Sequence, residues 1–108
     1  MSTLNVAIIG HNFMGKAHSN AWRNAGRFFD LPTTPVMKLA CGRDQESLKH
    51  FASGWGWEET TSDWRAAVAR PDIDVIDICT PPDLHAEIAI SAAENGKQVT
   101  ALVEITAR

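Results

Sequence analysis

Apolar residues are concentrated along the chain in short runs that alternate with longer series at helical spacing. The clearest runs, residues 4–9, 36–41 and 73–79, are rich in aliphatic and β-branched side chains and have the length of buried strands. Between the first two runs, apolar side chains recur at helical intervals from Met14 onward, and Gly26 is the predicted C-terminal stop. This alternation predicts βαβ crossovers, and therefore an α/β domain with a doubly wound parallel sheet.

Capping residues predict the bounds of the other helices. Asp44 and Asp63 precede the second and third helices, and Gly54 is the predicted end of the second. Asp83 is the predicted N-cap of a fourth helix, which the Asn-Gly pair at residues 95–96 ends.

Two stretches complete the chain. Residues 28–35 are predicted to form a loop, because Pro32 and Pro35 oppose regular structure. Residues 98–105 are a last apolar, β-branched stretch. Since nothing in the sequence marks a linker or a repeat, residues 1–108 are predicted to be one domain.

Composition and charge narrow the class of function. The 108 residues carry a formal net charge of −3 and no block of like charges, whereas a nucleic-acid partner usually needs a basic stripe. No apolar run approaches the roughly 20 residues of a membrane span, and residues 1–5 contain no basic leader. Cys41 and Cys79 are expected to be buried thiols. The sequence thus predicts a cytoplasmic protein with no nucleic-acid or membrane partner.

The first strand leads into a turn with the spacing of a dinucleotide-binding fingerprint. Residues 10–15 read Gly-His-Asn-Phe-Met-Gly, with Asn12 in place of the second glycine. Such a turn presents backbone amides and a helix N-terminus to a pyrophosphate, and ligands of open parallel sheets bind at this end of the strands. Asn12 tolerates a left-handed backbone better than most residues, so the turn stays feasible. The alternative is a purely structural turn.

The turn after the second strand bears on which dinucleotide is held. Sites that prefer NAD usually place a carboxylate here for the ribose hydroxyls, but this chain has Gly42 followed by Arg43. Glycine removes charge and bulk, and a guanidinium can pair with a 2′-phosphate, so NADP is favoured over NAD. Asp44 could bind the ribose instead, although its role as a helix cap is the stronger prediction.

The turn after the strand at residues 73–79 reads Thr80-Pro81-Pro82-Asp83-Leu84-His85. Its two prolines fix a turn where a nicotinamide ribose would lie. His85 falls in the first turn of the next helix, where a proton donor to the ribose or nicotinamide could sit. The alternative is that His85 only packs or caps locally.

Structural roles are expected for the remaining histidines and aromatic residues. His18 is expected to pack against the sheet or a loop, and His11 either contacts the pyrophosphate or is exposed. Neither has companions at metal-ligand spacing, so no metal site is predicted. The four tryptophans are expected to pack in the core or between domains rather than to stack on a ligand.

Three segments together resemble the Gfo/Idh/MocA oxidoreductases, the relatives of glucose–fructose oxidoreductase and inositol dehydrogenase. They are residues 10–22, residues 74–87 and the Gly-Lys pair at 96–97, and the resemblance covers about residues 4–99. It implies a Rossmann-type domain that binds NAD or NADP and serves hydride transfer on sugars, cyclitols or related polyols. By the same resemblance, Arg43 stacks on the adenine or holds the 2′-phosphate. The expected cofactor-binding residues are Gly10, His11, Asn12, Phe13, Met14, Gly42, Arg43, Thr80, Pro81, Leu84 and His85.

The C-terminal stretch departs from the family pattern. In the family, Gly-Lys leads into a strand ending in Glu-Lys-Pro, whose lysine helps to orient substrate and shift protons. Here Glu104 arrives about two residues late, and Ile105 and Thr106 stand where lysine and proline would be. The family's last nucleotide-domain strand and its substrate domain with the catalytic histidine are absent from these 108 residues. We therefore expect cofactor binding without catalysis by this chain alone.

Three other functions compete with this interpretation. A nucleotide-binding or sensing module that works through a partner chain would use the same residues. A methyltransferase-type domain would need a carboxylate after the second strand, which Gly42 and Arg43 do not supply. An assembly role would follow from an exposed apolar face, and we expect a homo-oligomer formed through the edge of the last strand.

Overall fold

The sheet contains five parallel strands, and helices connect them in sequence. The computed structural model describes residues 2–28 and 33–101. Within these residues the elements are β1 (Ser2–Ile9), α1 (Phe13–Phe28), β2 (Thr33–Cys41), α2 (Gln45–Trp55), β3 (Glu59–Thr61), α3 (Trp64–Ala69), β4 (Val75–Ile78), α4 (Pro82–Glu94) and β5 (Gln98–Ala101).

The direction in which successive strands are added to the sheet reverses next to β1. The sheet runs β3-β2-β1-β4-β5, so the chain builds outward on one side of β1 and then crosses to the other side. Every strand pair is parallel, which brings all carboxyl ends to one edge of the sheet. The doubly wound fold predicted from the sequence is therefore confirmed, and the reversal between β1 and β4 is where such sheets bind ligands.

The core lies on both faces of β1. Val6 and Ile8 belong to a buried cluster that includes residues of α2 and contacts Trp22 of α1. Ala7 and Ile9 belong to a second cluster that includes residues of α3 and α4. Because successive side chains of a strand point to opposite faces, a continuous apolar run is what a strand covered on both sides requires.

The prediction of a loop over residues 28–35 was wrong at both ends. Helix α1 continues past Gly26 to Phe28, and β2 already begins at Thr33. Pro35 lies within β2 in register with Leu4, although it has no amide hydrogen to donate. Strand β3 pairs only with residues 39–41 of β2, so among the described residues Pro35 faces a neighbouring strand on one side alone. An unpaired strand edge of this kind tolerates proline.

Two of the predicted helix bounds were also wrong. Helix α2 includes Gly54 and ends at Trp55, and Gly56 is its left-handed C-cap, with a φ of 93° and an amide that donates to Ala52 O. Helix α4 begins at Pro82 with Pro81 in the N-cap position and no side-chain cap, so Asp83 lies in its first turn. Proline fits there because the first amides of a helix have no intrahelical acceptor.

The caps predicted for the other two helices are confirmed. Asp44 accepts a hydrogen bond from the amide of Glu46 at 3.2 Å, and Asp63 accepts one from the amide of Arg65 at 3.0 Å. The predicted last strand is described as far as Ala101, so residues 102–108 and the departures predicted there lie outside the described residues. No helix among the described residues is long and apolar enough to cross a bilayer.

Candidate functional site

A cavity of about 500 Å³ opens at the carboxyl ends of β1, β2 and β4. This volume lies within the range of small-molecule sites in proteins, roughly 300 to 1,000 Å³. The three turns singled out from the sequence meet here. Eight of the expected cofactor-binding residues line the cavity: Gly10, His11, Asn12, Gly42, Arg43, Thr80, Pro81 and Leu84.

The first turn is held so tightly against its neighbours that two of its positions require glycine. Gly10 has a φ of 105°, and a Cβ there would lie 2.7 Å from the carbonyl oxygen of Cys79. A Cβ on Gly15 would collide with the carbonyl oxygen of Gly10, so the first turn of α1 packs directly on the backbone of the turn. Gly10 also donates its amide hydrogen to Cys41 O at 2.9 Å, which joins the ends of β1 and β2.

Asn12 fills the place of the missing glycine without a left-handed backbone. No described residue other than glycine has a positive φ, so the tolerance that the sequence argument invoked for Asn12 is not used. Asn12 is exposed at the cavity, and its carbonyl oxygen accepts a hydrogen bond from the amide of Lys16 at 3.0 Å. It therefore starts the hydrogen bonding of α1.

The second turn packs against the ring of His11. A Cβ on Gly42 would lie 2.6 Å from Cε1 of His11 and closer still to Nδ1. The Nε2 atom of His11 lies 2.8 Å from Ser47 Oγ, and the ring packs against Phe51 with centroids 5.8 Å apart. His11 is thus half-buried between two turns. Arg43 is exposed at the rim of the cavity.

The third turn contributes Thr80, which lines the cavity and has a buried hydroxyl. Thr80 Oγ1 is buried and has no hydrogen-bond partner among the described residues. Leu84 lines the cavity and packs against the core. His85 is not among the residues that line the cavity. Its Nε2 donates a hydrogen bond of 3.3 Å to the carbonyl oxygen of Ile78. The local role that the sequence left open for His85 is the one that this contact supports.

Two further expected residues begin helix α1. Met14 is half-buried in the first turn of α1 and is not among the residues that line the cavity. Phe13 begins α1, but its side chain lies outside the part of the structure that is described.

Sequence reasoning missed several polar and aromatic residues of the wall. Ser47 comes from the first turn of α2, Ser62 directly follows β3, and Trp64 begins α3. The position of Ser62 after a strand was a usable signal, because that strand ends at the same edge as the others. Trp64 packs against the core as predicted and also lines the cavity, with the guanidinium of Arg65 at 4.4 Å from its ring centroid.

A polar cluster lies beside the cavity, under α1. His18, Asp77 and Cys79 each offer a potential ligand atom, and these atoms all lie within 4.8 Å of one another. These two companions of His18 were not predicted, because β4 and the turn after it bring them in from a distant part of the chain. Nδ1 of His18 donates to Asp77 at 2.8 Å, and Cys79 Sγ lies 3.4 Å from the same nitrogen.

Both cysteines border the cavity and remain thiols. Burial raises the pKa of Cys41 to about 12, with a smaller contribution from the charge of Asp63. Burial also raises the pKa of Cys79, and the neighbouring carboxylate of Asp77 raises it further. Neither side chain is therefore set up as a nucleophile, since the reactive form of cysteine is the thiolate.

The sequence of this cavity-bearing domain matches a known family. The model of the oxidoreductase family with an NAD-binding Rossmann fold, GFO_IDH_MocA, covers residues 4–104. The chain belongs to the Gfo/Idh/MocA oxidoreductase family. Levoglucosan dehydrogenase of Pseudarthrobacter phenanthrenivorans is 49% identical to this family member over 100 residues, which are 92% of this chain.

Solved structures of other proteins agree with the fold. An oxidoreductase domain protein from Kribbella flavida superposes with a TM-score of 0.90 at 50% identity, over 94% of this chain and 27% of that one. Levoglucosan dehydrogenase in complex with NADH and L-sorbose also superposes with a TM-score of 0.90, at 48% identity and the same coverage of both chains. The chain thus spans about a quarter of the length of these relatives, or 26% of the dehydrogenase from Pseudarthrobacter.

Proposed function

We propose that this chain is the dinucleotide-binding part of an oxidoreductase that transfers hydride to or from a sugar, cyclitol or related polyol. The observation that carries the proposal is the cavity at the reversal of the sheet, where a glycine turn, a helix start and a buried free hydroxyl converge. The levoglucosan dehydrogenase solved with NADH and L-sorbose supports the same class of substrate and cofactor.

The first turn suits a pyrophosphate. Gly10 and Gly15 have no side chains, so the backbone of the turn stays bare and close to the start of α1. The first amides of a helix are unpaired and carry a partial positive charge, which favours a bound anion. Gly10, His11 and Asn12 would therefore hold the pyrophosphate, with Phe13 and Met14 supplying amides at the start of the helix.

The third turn suits the nicotinamide end. A buried hydroxyl without a partner costs about 1–3 kcal/mol, so Thr80 is better satisfied when a ligand oxygen or nitrogen bonds to it. Pro81 fixes the turn beside it, and Leu84 supplies an apolar wall. When bound, the dinucleotide supplies the carbon that accepts or donates the hydride, and these residues orient it and exclude water.

The adenosine end decides between NAD and NADP. Arg43 is exposed at the rim next to Gly42, and this pair supports the NADP preference expected from the sequence, because a guanidinium can pair with a 2′-phosphate. The 48% identical levoglucosan dehydrogenase was solved with NADH, which supports the unphosphorylated cofactor. We take both dinucleotides as ligands, with their relative affinities set by the residues that surround Gly42.

Substrate turnover demands more than these residues. Hydride transfer requires a substrate held in near-attack geometry beside an acid–base group. The matched region is about a quarter of levoglucosan dehydrogenase, and we propose that these 108 residues alone bind cofactor but do not oxidise polyols. Steady reduction of NAD or NADP by the pure chain with any polyol would contradict this part of the proposal.

Calorimetric titration of the pure chain with NADH and, separately, NADPH tests cofactor binding. Thr80→Val removes the free hydroxyl at nearly constant shape, and we expect it to weaken binding about tenfold, as the loss of one hydrogen bond predicts. Thr34→Val, an exposed change in β2 that is far from the cavity, is the matched control and should leave affinity unchanged. No binding of either dinucleotide by the wild-type chain would refute the proposal.

A further inference from the structure

We propose that His11 replaces the missing carboxylate of the second turn as the acceptor for the adenosine ribose hydroxyls, and that it makes the site prefer NAD(H) to NADP(H). This inference rests on the proposed dinucleotide site and names the residue that sets its specificity. It is carried by the juxtaposition of the His11 ring with Gly42 and Ser47.

The ring of His11 occupies the space in which a side chain at position 42 would begin. A Cβ there would meet Nδ1 and Cε1 of His11 at distances that real structures do not allow. A third atom, Cδ1 of Leu48, would lie 3.3 Å from the same Cβ and closes the other side. A side chain at position 42 cannot coexist with the ring where it now lies, so the ring takes the space in which an acidic side chain would begin.

The proposed role requires the tautomer of His11 in which Nε2 carries the hydrogen, and a short hydrogen-bond chain accommodates that tautomer. The hydroxyl of Ser47 donates to the carbonyl oxygen of Asp44 at 3.3 Å. Its oxygen is then free to accept from Nε2 of His11, 2.8 Å away. In the neutral imidazole this leaves Nδ1 with a lone pair. The ring thus places an acceptor atom where the carboxylate of other sites would start.

An acceptor at this place distinguishes the two cofactors. The ribose 2′-hydroxyl of NAD(H) has a hydrogen to donate to Nδ1, as it would to a carboxylate. A 2′-phosphate carries negative charge and acceptor oxygens, so it would meet the lone pair of Nδ1 without a hydrogen between them. A site in which a polar group is left unpaired rejects the wrong ligand strongly.

Packing holds the ring in place for this role. The imidazole lies against Phe51 with centroids 5.8 Å apart, and Ser47 anchors its far nitrogen. Arg43, by contrast, is exposed, and its long side chain must be ordered before it can hold a phosphate. We therefore expect Nδ1 of His11 to influence the cofactor preference more strongly than the guanidinium of Arg43.

The test compares dissociation constants for NADH and NADPH across four chains. We expect the wild-type chain to bind NADH at least about tenfold more tightly than NADPH, the effect of one bond of this kind. His11→Leu keeps apolar bulk but loses the acceptor, and should weaken NADH about tenfold while NADPH changes less than about threefold. Ser47→Ala releases the ring and should shift the ratio in the same direction by a smaller factor. His50→Leu, an exposed histidine in α2, is the matched control and should keep the wild-type ratio.

Two results would overturn the inference. One is tighter binding of NADPH than of NADH by the wild-type chain, and the other is an equal loss of both cofactors in His11→Leu and in Ser47→Ala. Circular dichroism of each variant separates lost binding from lost folding, and Ser47→Ala remains informative if His11→Leu does not fold. If the wild-type chain binds neither cofactor, the proposed function fails as well, which is a different outcome.

Discussion

The indole nitrogen of Trp22 donates a hydrogen bond of 2.8 Å to the carboxylate of Asp77, across the contact between α1 and β4. Asp77 lies in β4, next to the central strand β1, and is only 1% exposed. Nδ1 of His18 donates to the same carboxylate, at 2.8 Å from Oδ1 and 2.9 Å from Oδ2. Two side chains of the helix that follows the dinucleotide turn are therefore tied to one buried acidic group.

We expect Asp77→Asn to lower the free energy of unfolding by about 1–3 kcal/mol, because an amide nitrogen would then face a donor in a buried place. Asp83→Asn removes the same charge from an exposed position in the first turn of α4 and should cost less than about 1 kcal/mol. Urea unfolding followed by tryptophan fluorescence measures both. Equal losses of unfolding free energy in the two variants would show that the hydrogen bonds of Asp77 with His18 and Trp22 do not stabilise the fold.

Gly10→Ala should both destabilise the fold and abolish cofactor binding. Its φ of 105° disfavours any side chain, and the added methyl group would lie 2.7 Å from Cys79 O. We expect a loss of at least about 1–3 kcal/mol. Gly54→Ala is the matched control, because a Cβ there meets no atom within 4 Å and the residue lies in α2. That change should stabilise the chain by about 0.5 kcal/mol and leave affinity intact.

Arg70 should make stability sensitive to acid. Its hydrogen bonds hold the pKa of Glu59 and that of Asp72 below their usual range in the folded state. A carboxylate with a lowered pKa contributes stability above its unfolded pKa of about 4, and this contribution disappears as the pH falls through the folded value. Arg70→Gln should therefore lower the urea midpoint at about pH 7 but have little effect below about pH 3.

The control for this pH dependence is Arg65→Gln. Arg65 pairs with one exposed carboxylate, that of Glu87, and its own side chain is 67% exposed, whereas that of Arg70 is 28% exposed. Water screens this pair, and the contact of the Arg65 guanidinium with the Trp64 ring does not depend on pH, so the difference in urea midpoint between this variant and wild type should stay the same at every pH. If the urea midpoints of wild type and Arg70→Gln differ by the same amount from neutral to acid pH, the ion pairs of Arg70 do not cause the acid sensitivity.

Self-association through β5 is a further expectation. Among the described residues β5 has a neighbouring strand on one side only, and Val99 within it is 37% exposed. Wild-type chain at micromolar concentration should scatter light as a homo-oligomer, and Val99→Lys should shift it toward the monomer, because lysine protects strand edges. Ser53→Lys, which adds the same charge to an exposed position of α2, should not. A monomeric wild-type chain would end this hypothesis.

The strands and the glycine turn could be predicted from the sequence because each follows from a pattern of a few neighbouring residues. Gly10 and Thr80 follow apolar runs whose periodicity is visible in a few residues, and parallel pairing then brings their turns together. Helix ends were less readable, since Gly54 and Gly56 are equally good stops by composition and only the backbone shows which one is left-handed.

Contacts made between distant segments could not be predicted. His11 meets Ser47 across 36 residues of chain, and His18 meets Asp77 across 59. Neither pair has a spacing that any helix or strand would produce, so only the folded sheet brings them together. For the same reason, Trp64 was predicted to have only a packing role, although it also forms part of the cavity wall.

The contact between His11 and Gly42 also constrains how this domain can change over generations. A side chain at position 42 has room only if the ring at position 11 moves aside or is replaced by something smaller. The two positions are therefore coupled, because a side chain at 42 and the present position of the ring exclude each other. In a lineage that carries this pair, we expect residues 11 and 42 to change together.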